Sequence, residues 1–306
     1  MKNTFLLTFA LILLAGSPLK AQEKEEAATL NKVVNTLKER ITLAGYAQLG
    51  YTYDDAAKKM NTFDIKRIIF MAHGKITDRW TCDFMYDFYN GGMLLEVYTD
   101  YRILPGLKVR IGEFKVPYTI ENELSPTTVE LINCYSQSVC YLAGVSGSDV
   151  ACGMTSGRDI GAMVHGGLLN DLLCYKLAIM NGQGLNIKDK NNQKDIIGNL
   201  MVNPIADSEI TGIRAGENYT KNRWSIGGII TTTSFSLRSE YLAGKDGGVK
   251  SDGFYATGCY RMLRNFDLVA SYDYFNANKA VSRKQTNYIA GLQYWFYPKC
   301  RLQAQY

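Results

Sequence analysis

The sequence predicts an all-β fold: an antiparallel transmembrane β-barrel of the 16-stranded kind, with about fifteen strands written in the chain. Three observations carry this prediction. From about Gly45 to the end, segments of strand length alternate apolar with polar residues. Short clusters of Pro, Gly, Asn and Asp separate them. After the first residues, no apolar run approaches the roughly 20 residues that a membrane helix needs. Hydrophobic residues make up 46% of the 306 and charged residues 21%, as in a soluble protein. A barrel has the same balance, because only alternate residues meet lipid. The 21 Tyr, against 3 Trp and 12 Phe, suit interfacial aromatic girdles, although a Tyr-rich soluble sandwich would share them.

Residues 1–21 read as a secretory signal peptide. Lys2 gives the positive start, Phe5 to Ala15 the apolar core, and Pro18-Leu19-Lys20-Ala21 leads to cleavage before Gln22. The mature chain is therefore expected outside the cytoplasm, and as a barrel in the bacterial outer membrane. The formal charge of +5 includes this leader and says little about partners. Residues 22–40 are highly charged, with Leu30, Val33 or Val34, Leu37 and Ile41 at helical spacing. This periplasmic segment reads as a mobile tail or as a short coiled-coil arm. Residues 41–306 form the barrel domain.

From Ile41 the period becomes 2. Leu43, Gly45, Ala47, Leu49, Tyr51 and Tyr53 share a face, and Asp54-Asp55 with Lys58-Lys59 marks a loop. In Phe63–His73 both faces are partly apolar, so the directions of Lys66 and Arg67 stay open. Trp80, Cys82, Phe84, Tyr86 and Phe88 then alternate with Thr81, Asp83, Met85, Asp87 and Tyr89, as suits a lipid-facing strand.

The next hairpin organises the chain. Leu95, Val97, Thr99 and Tyr101 oppose Glu96, Tyr98, Asp100 and Arg102. Pro105-Gly106 turns, and Leu107, Val109 and Ile111 oppose Lys108, Arg110 and Gly112. Taken alone, this hairpin fits a barrel or a soluble sheet with one wet face. Directly after the turn stands G-x-F-K-x-P-x-x-x-E: Gly112, Phe114, Lys115, Pro117 and Glu121. Further on come Gly157-Arg158-Asp159-Ile160-Gly161, Asn181-Gly182-Gln183-Gly184, Ser239-Glu240-Tyr241 and Tyr272-Asp273. In this order the motifs resemble the phosphate-selective porin O and P family of outer-membrane channels. The resemblance implies passive diffusion of small solutes or ions, with anions such as phosphate among them. It implies partnership with outer-membrane lipid, a homotrimer and no cofactor. It also implies a third loop that folds inward and narrows the barrel, and Pro117–Gly157 takes that role. A short helix is expected within Ser125–Leu142, starting at Ser125-Pro126.

Strands resume at Arg158–Gly167 and Leu172–Asn181, with a polar loop from Gly182 to Asp195. Lys194–Pro204, Glu209–Asn218, Arg223–Thr232 and Phe235–Ala243 follow. Gly244–Asp252 reads as a loop. Strands about Phe254–Arg261, Phe266–Tyr274 and Thr286–Tyr297 precede a start at Arg301. Odd-numbered connections are mostly the longer ones, as in outer-membrane barrels. An odd strand count implies a final strand missing from the sequence and an open edge.

No enzyme is expected. His73 and His165 lack metal-ligand spacing, and a barrel hydrolase would need a serine beside His165. No helix or Lys-Ser/Thr follows Gly182-Gln183-Gly184, so it is not a phosphate-binding loop. Nucleic-acid binding is not expected. Asn218-Tyr219-Thr220 matches a glycosylation sequon. The seven cysteines fit no metal pattern; Cys134, Cys140 and Cys152 share one loop that would permit a disulfide. Pore-lining candidates are Arg102, Lys108, Arg110, Lys176, Arg238 and Arg261. Constriction-loop candidates are Lys115, Glu121, Glu123, Glu130 and Arg158, with Lys115 and Glu121 expected to pair with each other or with Arg158. Thr119–Gly157 holds no Lys or Arg but has Glu121, Glu123, Glu130 and Asp149. An acidic constriction would repel phosphate, so a general, weakly selective channel is expected. The alternative is a non-conducting outer-membrane protein whose long loops bind a partner.

Overall fold

A computed structural model describes residues 38–54, 60–145, 155–203, 209–210, 213–216 and 221–306. The leader, most of the charged segment after it, Asp149, Cys152 and Asn218 lie outside these residues. The chain divides into two units, Met1–Thr42 and Leu43–Tyr306. The second carries the sheet and its site.

Strands β1 (Ile41–Asp54), β2 (Met60–Lys75), β3 (Trp80–Asp87), β4 (Met93–Leu104) and β5 (Leu107–Lys115) lead into the long connection 116–157. That connection holds helices α1 (Ile120–Glu123) and α2 (Gln137–Leu142). β6 (Arg158–Leu168), β7 (Leu173–Met180), β8 (Asp195–Val202), β9 (Glu209–Ile210), β10 (Ile213–Gly216) and β11 (Lys221–Thr231) follow. β12 (Phe235–Asp246), β13 (Val249–Leu263), β14 (Phe266–Asn278), β15 (Arg283–Tyr297) and β16 (Cys300–Gln305) complete the described chain. These segments form one sheet in chain order, with β9 pairing β11 in line with β10. No described helix is long and apolar enough to cross a membrane, which says nothing about strands.

Alternation sets the two faces. Val97, Tyr101 and Ile111 are 46%, 47% and 58% exposed on the outer face, while Glu96, Tyr98 and Arg110 line the interior. Trp80, Phe84 and Phe88 continue the outer apolar face, as do Leu177, Ile226 and Tyr288 from later strands. So wide an apolar exterior suits lipid and would aggregate in water.

The strand order begins at β1 and ends at β16 with no pairing between them among the described residues, so the sheet has two edges, in keeping with the expected open edge. The sheet is nevertheless curled on itself. Gln48 on β1 donates to the Ile132 carbonyl at 3.0 Å, and the Ile132 N–H donates to Gln305 on β16 at 2.8 Å. Strands at opposite ends of the order therefore meet at one loop residue.

Two local expectations are corrected. Gly244–Asp252 is not a loop: β12 runs on to Asp246 and β13 starts at Val249, joined by Gly247-Gly248 with φ of 55° and 86°. Paired glycines supply the positive φ that a two-residue hairpin turn needs, so the polar run around them stays in the ladder. Nor does a helix start at Ser125-Pro126. The Ser125 carbonyl accepts from Thr128 and Val129, forming a single turn. The Pro126 and Val129 carbonyls then accept from Arg301 at 3.4 and 2.5 Å. Carbonyls held by the wall are lost to a helical ladder.

Candidate functional site

The site is the interior space left between the connection 116–157 and the wall. The roots of the loop are clamped first. Val116 N–H donates to the Gly157 carbonyl at 2.9 Å, and the Asn122 side-chain amide donates to the carbonyls of Val116 and Gly157 at 2.9 and 3.0 Å. Gly112 has φ 138°, and a Cβ there would sit 2.2 Å from the Val97 carbonyl oxygen. Only glycine fits so close a backbone approach.

The loop is then fixed to β11–β16. The Ile120 N–H, at the start of α1, donates to both Glu240 oxygens at 3.2 and 3.1 Å. Tyr255 Oη donates to the same carboxylate at 2.9 Å. The Gln137 N–H, at the start of α2, donates to Asp273 at 2.8 Å. Arg238 Nη1 reaches Glu130 at 2.7 Å, and Nε and Nη2 reach Glu121 Oε1 at 3.4 and 3.3 Å. Glu121 also accepts from the Ser136 N–H at 2.7 Å. It is fully buried: burial pushes its carboxyl above the ordinary glutamate range, and Arg238 pulls it part of the way back. Apolar side chains complete the contact. Val139, Leu142 and Ala143 pack with Leu242, Tyr255 and Phe275, and Val129 and Leu131 pack with Val269.

The side facing β1–β7 is open. A cavity of about 460 Å³ lies there, with Ser125, Pro126, Tyr135, Val145 and Ser156 on its loop side. Its basic side chains are Lys66, Arg67, Arg110, Lys115, Arg158 and Lys176; its acidic ones are Asp87, Glu96 and Glu123. Two consecutive residues, Lys66 and Arg67, both point inward, which strict alternation forbids. Outer-face exposure runs Phe63, Ile65, then Ile68 and Phe70, so the parity slips by one between Ile65 and Ile68. The slip sends both cations into the cavity.

Four of the six cations have carboxylate partners. Lys66 pairs with Asp64 at 3.2 Å, Arg158 with Glu96 at 2.7 Å and Lys176 with Glu123 at 2.5 Å. Arg110 holds Asp100 through two bonds of 2.9 and 2.7 Å and lies 3.8 Å over the Tyr98 ring. The other two, Arg67 and Lys115, have no ion-pair partner among the described residues. Lys115 Nζ donates only to loop carbonyls, those of Leu124 at 2.7 Å and Glu123 at 3.5 Å. Arg67 interacts with Tyr46, and its Nε is buried without a hydrogen-bond partner. Asp87 is occupied by the backbone N–H groups of Ile68 and Tyr89.

A second cavity of about 270 Å³, with Lys108, Tyr175 and Met201 in its lining, shares His165 and Lys176 with the first. The two spaces lie side by side against these residues, and Lys108 faces the smaller one.

The expected site residues separate into groups. Arg110, Lys115, Glu123, Arg158 and Lys176 come together at the larger cavity. Arg238, Glu121 and Glu130 form a cluster behind the loop. Arg102 donates to the Asp78 carbonyl in a short turn, and Arg261 pairs with Asp267 at 2.8 Å near another. The expected Lys115–Glu121–Arg158 pairing is corrected. Each of the three has a different partner, because Glu121 turns away from the cavity toward β12. The acidic constriction is corrected for its described members: Glu121 and Glu130 are taken up by Arg238, and Glu123, at the cavity, by Lys176, while Asp149 lies outside the described residues.

Sequence reading left Lys66 and Arg67 undirected and did not single out Tyr46. The available signal was the doubled basic pair within a strand. No group of three or more metal-ligating side chains occurs among the described residues. His165 Nε2 meets Asp100 at 3.2 Å, not a serine. Cys134 is a free thiol, and Cys152 lies outside the described residues.

No family model matches the sequence, and no curated protein matches it. Solved structures do. A triple mutant of the Rhodopseudomonas blastica porin superposes with a TM-score of 0.59 at 12% identity, covering 87% of this chain and 93% of that one. OmpT of Vibrio cholerae, an outer-membrane protein described in its trimer form, gives 0.58 at 13% identity, covering 87% of each chain. At such identity the likeness establishes the fold alone: an antiparallel sheet of the porin kind.

Proposed function

We propose that this chain is an outer-membrane channel for passive diffusion of small solutes, with a preference for anions, and that it works as a homotrimer. The porin-like fold, the apolar exterior and the adjacent interior cavities support a channel. The motif resemblance to phosphate-selective porins supports the anion preference. The observation that carries it is the pair of cations, Arg67 and Lys115, that face the cavity without a carboxylate. Basic groups in a narrow, low-dielectric passage raise the local concentration of anions. Transport of this kind uses no catalytic residue and no cofactor.

The test is the reversal potential in planar bilayers across a potassium chloride gradient, using the purified chain. Discrete steps with chloride more permeant than potassium are expected. A cation-leaning sign, or no steps from folded protein, would overturn the proposal.

A further inference from the structure

We infer that the larger cavity prefers organic anions with an apolar or aromatic body over small hydrated anions such as inorganic phosphate; the inference rests on the anion-channel reading above. Three features of the cavity carry it.

The first is the charge just described: Arg67 lines the cavity with no ion-pair partner among the described residues, and Lys115 donates only to carbonyls. This positions one anionic group near the meeting of β2, β5 and the loop. The second is what surrounds those cations. Met85, Met93, Met163, Ile69 and Leu95 line the same space, and Tyr46, Tyr98 and Tyr135 add three phenol rings. A hydrated inorganic anion gains nothing from such a wall and loses water against it. An aryl carboxylate gains burial of its ring and contacts with thioether sulfur and phenol faces. The third is size. About 460 Å³ lies within the range of sites for small organic molecules and greatly exceeds the need of a single inorganic ion.

The charge on the solute is therefore matched by Arg67 and Lys115, and its body by the methionines and tyrosines. Benzoate and acetate carry the same charge and differ in the ring, so they isolate the second feature.

The experiment measures block of the chloride current through single channels by benzoate, acetate and inorganic phosphate. Half-block by benzoate is expected at a concentration about tenfold below that of acetate, the scale that burial of one ring supports, and below that of phosphate. Arg67→Gln should raise the half-blocking concentration of both carboxylates and keep most of their ratio. Met93→Ser, at a partly exposed strand start, should lower the ratio. An anion-selective channel that benzoate blocks no better than acetate overturns this inference and leaves the channel reading standing. Stronger block by phosphate also overturns it, in favour of an inorganic anion. A cation-selective or silent protein overturns both.

Discussion

The two sides of the interior are built from the same alternating strands and end in opposite states. Along β11–β16 the inward polar groups are consumed by the loop: Glu240 and Asp273 hold the starts of α1 and α2, and Arg238 holds Glu121 and Glu130. Along β1–β7 the inward groups pair among themselves and leave space, with Arg67 and Lys115 unneutralised. Inward polarity alone therefore does not leave open space. A cavity remains where the loop does not reach.

The contrast is broken most strongly by Arg238→Met. This leaves Glu121 and Glu130 buried without their cation, a loss of about 3–5 kcal/mol by analogy with broken buried ion pairs. The loop should leave β12, seen as a lower unfolding temperature in detergent and as new protease cleavage within 116–157. Asn122→Ala should cost about 2 kcal/mol, because the Val116 and Gly157 carbonyls each lose one of two donors and the root clamp loses two buried hydrogen bonds. The same measurements report it, with cleavage nearer the roots. Arg67→Glu acts on the open side. It should lower the chloride-to-potassium permeability ratio roughly twofold or more and leave thermal stability nearly unchanged; an unchanged ratio would remove Arg67 from the solute path.

The smallest effect sharpens the filled side. Burial raises the Glu121 carboxyl, so the folded chain holds that proton more tightly than the unfolded chain does. The associated stability is present below the ordinary glutamate value and is lost as pH climbs through the raised one. Melting temperatures measured from pH 4 to pH 8 should therefore fall less in Glu121→Gln than in the unmodified chain.

Much of the fold was legible because each strand repeats a simple rule. The faces of Val97–Arg102 and Leu107–Gly112 follow from alternation, whereas Leu95 joins Glu96 at the cavity where the β3–β4 register shifts; the long loop follows from a stretch without period, and its inward fold was implied by the family resemblance. What was not legible depends on contacts between distant residues or on a break in the rule. Lys66 and Arg67 share the cavity through a one-residue slip, which no average period reveals. The acidic residues of 116–157 suggested a negative passage, but charge in sequence does not say which wall a side chain meets. Glu121 finds Arg238, 117 residues away. The Gly247-Gly248 hairpin was hidden by the polar residues around it, which read as loop although the two glycines alone make the turn.

Ile132 has a mechanical consequence. Its carbonyl is held from β1 and its N–H from β16, and the neighbouring Glu130 carbonyl accepts from Gln303 and Gln305. The loop thus acts as a keystone between two abutments. Splaying of the sheet edges draws on this segment, and the same segment continues into Pro126 and Tyr135 at the cavity rim. Any spreading of the two edges is in this way transmitted to the width of the opening, so the outer rim of the sheet and the interior cavity share one part.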